Sequence, residues 1–158
     1  MKKIYTIGHS TRKFQDLIEI LQEFKIEVLV DIRRFPRSLY NPQFNKEVLE
    51  KELQPKGILY IWNENLGGFR REGYLVYTES KEFKEGFKEL VKVAEEKTTV
   101  IMCAEILWFK CHRKFVANKL EEAGFKTIHI LNGKKVFSVR EKTDRDLHKD
   151  KPSQLSLW

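Results

Sequence analysis

The stretch IYTIGHSTRKFQDLIEILQEFKIEVLVDIRR, residues 4–34, decides the fold. Ile4-Tyr5-Thr6-Ile7 is a short apolar run that reads as a buried strand and stops at Gly8-His9-Ser10. Phe14, Leu17, Ile18, Leu21 and Phe24 then recur at helical spacing, with Ser10 or Thr11 as the expected N-cap. Val28-Leu29-Val30 is a second apolar run, and it ends in the polar cluster Asp31-Ile32-Arg33-Arg34 before Pro36 turns the chain into a loop. Strand, helix and strand in this order predict a right-handed crossover between parallel strands.

The same alternation continues outward. A weaker helix is expected from Asn45 to Leu53, ending before Pro55 and Gly57, and Ile58 to Trp62 reads as a third strand. A glycine-bearing loop follows, Leu66-Gly67-Gly68-Phe69-Arg70-Arg71. Phe83, Phe87, Leu90, Val91 and Ala94 trace one helix face, and Thr98 to Met102 is the most strand-like run of the chain. A helix beginning near Cys111, with Phe115, Val116, Leu120 and Ala123 inward, is expected to end at Gly124, and Thr127 to Leu131 is a fifth strand. The prediction is a three-layer α/β sandwich with a mainly parallel sheet of about five strands. One domain over 1–140 and a polar tail over 141–158 account for all 158 residues.

Composition bounds the function classes. No run approaches the roughly 18–20 apolar residues of a membrane span, and the opening residues lead into a strand rather than a signal peptide, so a cytoplasmic protein without a membrane partner is expected. Two cysteines in one short stretch are no disulfide framework. A net charge of +7 suits phosphate-bearing partners such as nucleic acid or a nucleotide, although Lys- and Glu-rich surfaces also carry such charge as a solvated face.

Ligands of open parallel sheets bind beyond the carboxyl ends of the strands. His9 and Ser10, Asp31 with Arg33 and Arg34, and Cys103 with Glu105 all fall at such ends. The densest segment is Cys103-Ala104-Glu105-Ile106-Leu107-Trp108-Phe109-Lys110-Cys111-His112-Arg113. Cys111 in the first turn of a helix would gain thiolate character from the free N–H groups, Arg113 would grip an anion, His112 or His9 would carry protons, and Asp31 or Glu105 would orient an imidazole or act as acid or base. Zinc on Cys103, Cys111, His112 and His9 is the alternative, although no Cys-x-x-Cys pair is present; no cofactor is otherwise predicted. A cysteine-phosphatase loop is disfavoured, because the residues six positions after Cys103 and Cys111 are Phe109 and Ala117. The bland readings are a buried small side chain for Cys103, an Arg pairing with Asp31 to brace the sheet edge, a structural His129 inside the last strand, and a plain turn at Gly67-Gly68.

With Ile7-Gly8-His9-Ser10, Val30-Asp31-Ile32-Arg33-Arg34-Phe35-Pro36, Leu66-Gly67-Gly68-Phe69-Arg70 and the Cys-Ala-Glu to Cys-His-Arg segment in view, the chain resembles the domain of unknown function 488 family across residues 3–133. The resemblance implies an α/β fold and a shared site of His9, Ser10, Asp31, Arg33, Arg34, Gly67, Gly68, Arg70, Cys103, Glu105, Cys111, His112 and Arg113; it supplies no reaction. Ile106-Leu107-Trp108-Phe109 is more apolar than the corresponding segment expected of many relatives.

The tail ends in Gln154-Leu155-Ser156-Leu157-Trp158, which resembles the pentapeptide by which proteins dock on the bacterial DNA sliding clamp, with Trp in place of the usual final Phe. Gln154 would supply a hydrogen bond, and Leu155, Leu157 and Trp158 would fill an apolar groove, unless they fold back on their own domain. Three function classes follow. The first is an enzyme acting on DNA or a nucleotide, with Cys111 or Cys103 as nucleophile, acting as a hydrolase or transferase and recruited to the clamp in repair or replication. The second is a non-enzymatic nucleic-acid-binding or repair-accessory module, and the third a metal-dependent hydrolase.

Overall fold

The computed structural model describes residues 2–131 and 136–138. The elements alternate as the hydrophobic periods require: β1 (Lys3–Gly8), α1 (Phe14–Glu23), β2 (Val28–Asp31), α2 (Lys46–Leu53), β3 (Leu59–Trp62), α3 (Tyr74–Tyr77), α4 (Lys81–Glu96), β4 (Thr99–Cys103), α5 (Arg113–Glu122), β5 (Lys126–Ile130) and β6 (Val136–Phe137). The strand order is β3-β2-β4-β1-β5-β6. The first five strands run parallel, and the two-residue β6 pairs antiparallel with β5. The clamp-like residues Gln154, Leu155, Leu157 and Trp158 lie outside the described residues.

Alternate strand residues feed two cores. Val100 and Met102 of β4 pack with Leu17 and Leu21 of α1 and Leu49 and Leu53 of α2 on one face. Ile101 and Cys103 face the other way, into Phe83 and Leu90 of α4 and Val116 and Leu120 of α5. Helices on both faces complete the three layers, so β2 and β4 are buried along their whole length. Among the described residues no helix is long and apolar enough to cross a membrane.

Several local expectations give way. Neither Ser10 nor Thr11 caps α1: the helix starts at Phe14 behind Lys13, and Ser10 sits in a turn with φ 49°. Helix α5 begins at Arg113, so Cys111 is extended chain just ahead of its first turn. Ala123 is exposed, and Phe125 fills the core beyond the end of α5. The short α3 had no sequence period long enough to announce it; Ser80, in contrast, caps α4 by accepting the Phe83 N–H at 3.1 Å.

Parallel pairing sets Gly8 opposite Cys103 and Asp31 opposite Met102, so the chain leaves β1, β2 and β4 side by side. His9 N–H then donates to the Cys103 carbonyl at 2.9 Å and Ser10 N–H to that of Ala104 at 2.8 Å, drawing the loop after β4 over the end of β1. No side chain fits beneath it, because a Cβ on Gly8 would lie 1.8 Å from the Glu105 carbonyl oxygen. Gly8→Ala is therefore expected to cost at least about 2 kcal/mol in urea denaturation; an unchanged midpoint would show that the loop lifts off freely.

Candidate active site

The carboxyl ends of β1, β2 and β3 are tied by one buried ion pair. Arg33 forks onto Asp31, Nε to Oδ1 at 2.9 Å and Nη2 to Oδ2 at 2.6 Å, while its own backbone N–H reaches Oδ1 at 3.0 Å. Tyr60 of β3 donates its hydroxyl to Asp31 Oδ2 at 2.5 Å. The guanidinium also donates to the Phe44 carbonyl at 2.7 Å and contacts His9 Nε2 at 3.2 Å. Burial works against the Arg33 charge, but the hydrogen bonds and charge of Asp31 outweigh it and hold its pKa above the ordinary value. Burial, followed by the charge of Asp31, raises the Tyr60 phenol so that it stays a donor. Asp31 is fully buried and accepts four hydrogen bonds, which makes it a brace for Arg33 rather than a free acid or base.

Both expected proton carriers are held neutral. His9 is buried; its Nδ1 donates to the Ser10 carbonyl at 2.9 Å and its Nε2 accepts from Arg33. Burial brings its pKa down to about 4, with the Arg33 charge adding to the effect. His112 donates Nε2–H to the Ile32 carbonyl at 2.7 Å and stands against Tyr74, 5.2 Å between ring centroids; burial lowers it to about 4 as well. His129 is buried within β5, bonded to Thr6 Oγ1 at 2.6 Å and stacked 4.2 Å from Trp108, well away from this role.

The sulfurs meet. Cys103 Sγ and Cys111 Sγ are 3.1 Å apart as free thiols, with Cys103 buried and Cys111 half-buried. The Arg113 backbone N–H, first in α5, points at Cys111 Sγ from 3.3 Å, so the helix end reaches this sulfur although Cys111 precedes the helix. The S–H of Cys111 holds the Cys103 thiol down to about 7 against the opposing effect of burial, and the Arg113 charge assists. The same shared hydrogen bond, with burial, pushes Cys111 up, so the pair loses one proton readily and the second with difficulty. The Arg113 guanidinium is itself fully buried, donates Nη2–H to the Ile106 carbonyl at 2.9 Å, and leaves Nε and Nη1 without a partner among the described residues. Arg113, expected to grip a substrate anion, thus lies buried beneath the loop and outside the lining of the cavity.

A cavity of about 520 Å³ opens above the pair. Cys103, Cys111, Glu105, His112, Arg33, Arg34, Gly68 and Arg70 line it, as do Phe35, Phe69, Tyr74, Lys110 and Phe115; His9, Ser10, Asp31, Gly67 and Arg113 do not. Glu105 Oε1 accepts the Leu107 N–H at 3.2 Å. Arg70 is spent on the Gly67 and Glu64 carbonyls at 3.0 Å each and lies 3.9 Å over the Tyr77 ring. Gly67 and Gly68 make a packing joint: a Cβ on Gly67 would come within 2.5 Å of Arg34 Cα, and one on Gly68 within 2.8 Å of His112 Nδ1. The sequence assigns Phe35, Phe69, Tyr74, Lys110 and Phe115 no role in the site, although Phe35, Phe69 and Lys110 sit inside the quoted motifs. Among the described residues no three His, Cys, Asp or Glu side chains converge as metal ligands would, so the zinc set of Cys103, Cys111, His112 and His9 is not assembled.

A family model for a domain of unknown function, DUF488, matches residues 13–120, which span α1 to most of α5 and hold both cysteines, the ion pair and the glycine joint. The chain belongs to the DUF488 family. No curated protein matches it. The DUF488 match starts after His9 and Ser10 and ends before β5.

The buried histidines predict an acid-sensitive fold. Both have an ordinary pKa of 6.5 and a folded pKa of about 4, so between these values the unfolded chain binds protons that the folded one refuses. Stability is present above the ordinary value and falls as the pH drops through the window. The urea midpoint at about pH 5 is expected to lie clearly below that at about pH 7.5, and equal midpoints would contradict neutral, buried imidazoles.

Proposed function

We propose that this protein is a cysteine-dependent hydrolase or transferase acting on a phosphate-bearing substrate, DNA or a nucleotide. The observation that carries the reading is the Cys103–Cys111 contact of 3.1 Å at the floor of the cavity. A thiol pair that shares one negative charge at neutral pH contains a nucleophile and a proton donor together, so the second thiol takes the proton-carrying role expected of His112 or His9, whose imidazoles are neutral and hydrogen-bonded. The thiolate attacks an electrophilic centre of the substrate; the new bond to sulfur forms as the bond to the leaving group breaks, and the neighbouring S–H gives its proton to that group. Water or an acceptor then takes the transferred group from sulfur and returns a proton to the second thiol. The Arg113 charge favours the Cys103 thiolate, the Arg113 N–H steadies the Cys111 sulfur once it has given up its proton, and Arg34 and Lys110 at the cavity are the cations offered to a phosphate.

The second reading, a non-enzymatic nucleic-acid-binding or repair-accessory module, uses the same cations and does not need the sulfurs. The two separate on thiol chemistry. Alkylation of the native protein is expected to rise with pH about a midpoint near 7, and Cys111→Ala, which removes the donating S–H, is expected to move the Cys103 midpoint up towards the ordinary ~8.5. Two inert thiols, or an unmoved midpoint in the variant, would remove cysteine catalysis.

Recruitment to the sliding clamp through Gln154, Leu155, Leu157 and Trp158 belongs to the same proposal and is supported by the pentapeptide sequence alone. The full chain is expected to co-elute with a bacterial clamp, and a chain ending at Ser153 is not; equal behaviour of the two would end that reading.

A further inference from the structure

We infer that Phe35 and Phe69 form an aromatic clamp for an unpaired base of single-stranded nucleic acid at the mouth of the cavity. Phe35 is 63% exposed and Phe69 82% exposed, although large aromatic side chains are normally the first to be buried. Their ring centroids are 6.1 Å apart at an interplanar angle of 36°. A planar base sandwiched between two rings needs them roughly 7 Å apart, so an opening of about an ångström admits one.

The display is built, not incidental. Phe69 has φ 58°, a left-handed backbone that costs a β-carbon-bearing residue strain, and its carbonyl is held by the Arg34 guanidinium. The preceding Gly67 and Gly68 press against Arg34 and His112 too closely for any side chain, which locks the loop after β3 onto the loop after β2. Each loop presents its phenylalanine beside the other. The Arg34 guanidinium lies 5.4 Å from the Phe35 ring centroid, and exposed Lys110 stands across the same cavity, so cations flank the stacking faces.

That combination selects the occupant. Stacking faces suit any base, flanking cations suit its phosphates, and the chain carries a net +7 to draw a polyanion in. A paired base in a duplex has both faces covered by its neighbours, and only an unpaired one has a face to offer. An apolar protein segment would leave Arg34 and Lys110 without counter-charge. The inference specifies the substrate of the proposed enzyme but stands on the aromatic pair rather than on the sulfurs.

Fluorescence anisotropy with a labelled oligothymidylate, the same length of blunt duplex, and thymidine monophosphate as competitor tests it. The wild type is expected to bind the strand more tightly than the duplex, and Phe35→Ala and Phe69→Ala are each expected to weaken strand binding on the order of tenfold; both residues are exposed, so the fold is not at stake. Strand affinity unchanged in both variants, strand and duplex bound alike, or the mononucleotide competing as well as the strand per base would overturn the inference. Strand binding lost in the variants, in a protein whose thiols titrate ordinarily, keeps the clamp and removes the thiol reading; thiolate chemistry with no effect at Phe35 or Phe69 does the reverse.

Discussion

The buried pairing of Asp31 with Arg33 organises everything at the functional edge. Two charges out of water are costly, and they are tolerated here because every atom of the carboxylate is engaged: the guanidinium fork, the Arg33 backbone N–H and the Tyr60 hydroxyl. Arg33 also donates to the Phe44 carbonyl and to His9. One ion pair thereby joins the ends of β1, β2 and β3 to the loop between β2 and α2, and the Trp62 indole donating to the Arg33 carbonyl at 2.8 Å adds a further tie.

On that frame the loops are set by close approach rather than by long side chains. Gly8 lets the loop after β4 lie against β1, and Gly67 and Gly68 let the loop after β3 lie against Arg34 and His112. The consequence is electrostatic as well as geometric. Pressed loops exclude water, which strips charge from His9 and His112, and the same exclusion makes the buried Arg113 a strong source of positive potential beside two sulfurs. His9 and His112 are thereby held neutral in hydrogen bonds to backbone carbonyls, and the two thiols lie within the field of the Arg113 charge.

Much of the architecture was legible in the chain. The apolar runs at Ile4, Val28, Ile58, Val100 and Thr127 became strands, and β2 and β4, buried on both faces, need the continuous apolar stretch they carry. The helix over Phe83 to Ala94 was equally plain from its period. Caps and ends were not: Ser10 is drawn into a turn by the backbone bond to Ala104, a tertiary contact that outweighs its local capping preference. The two-residue β6 has no pattern at all without β5 beside it.

The sequence by itself determined the strand ends at which polar residues gather, because alternating periods leave only those positions outside the layers. It also named Asp31, Arg33, Cys103, Cys111 and His112 as one set through their motifs. Only the tertiary structure decided what each does. Strand order places β4 between β2 and β1, which brings Cys103 into the middle of the edge, and the return of the chain from Phe109 to α5 lays Cys111 on it. Whether an arginine faces the cavity or is shut away from water is a property of packing: Arg33 went to a carboxylate, Arg113 under a loop and Arg34 to the cavity, although all three read alike as cations in a motif.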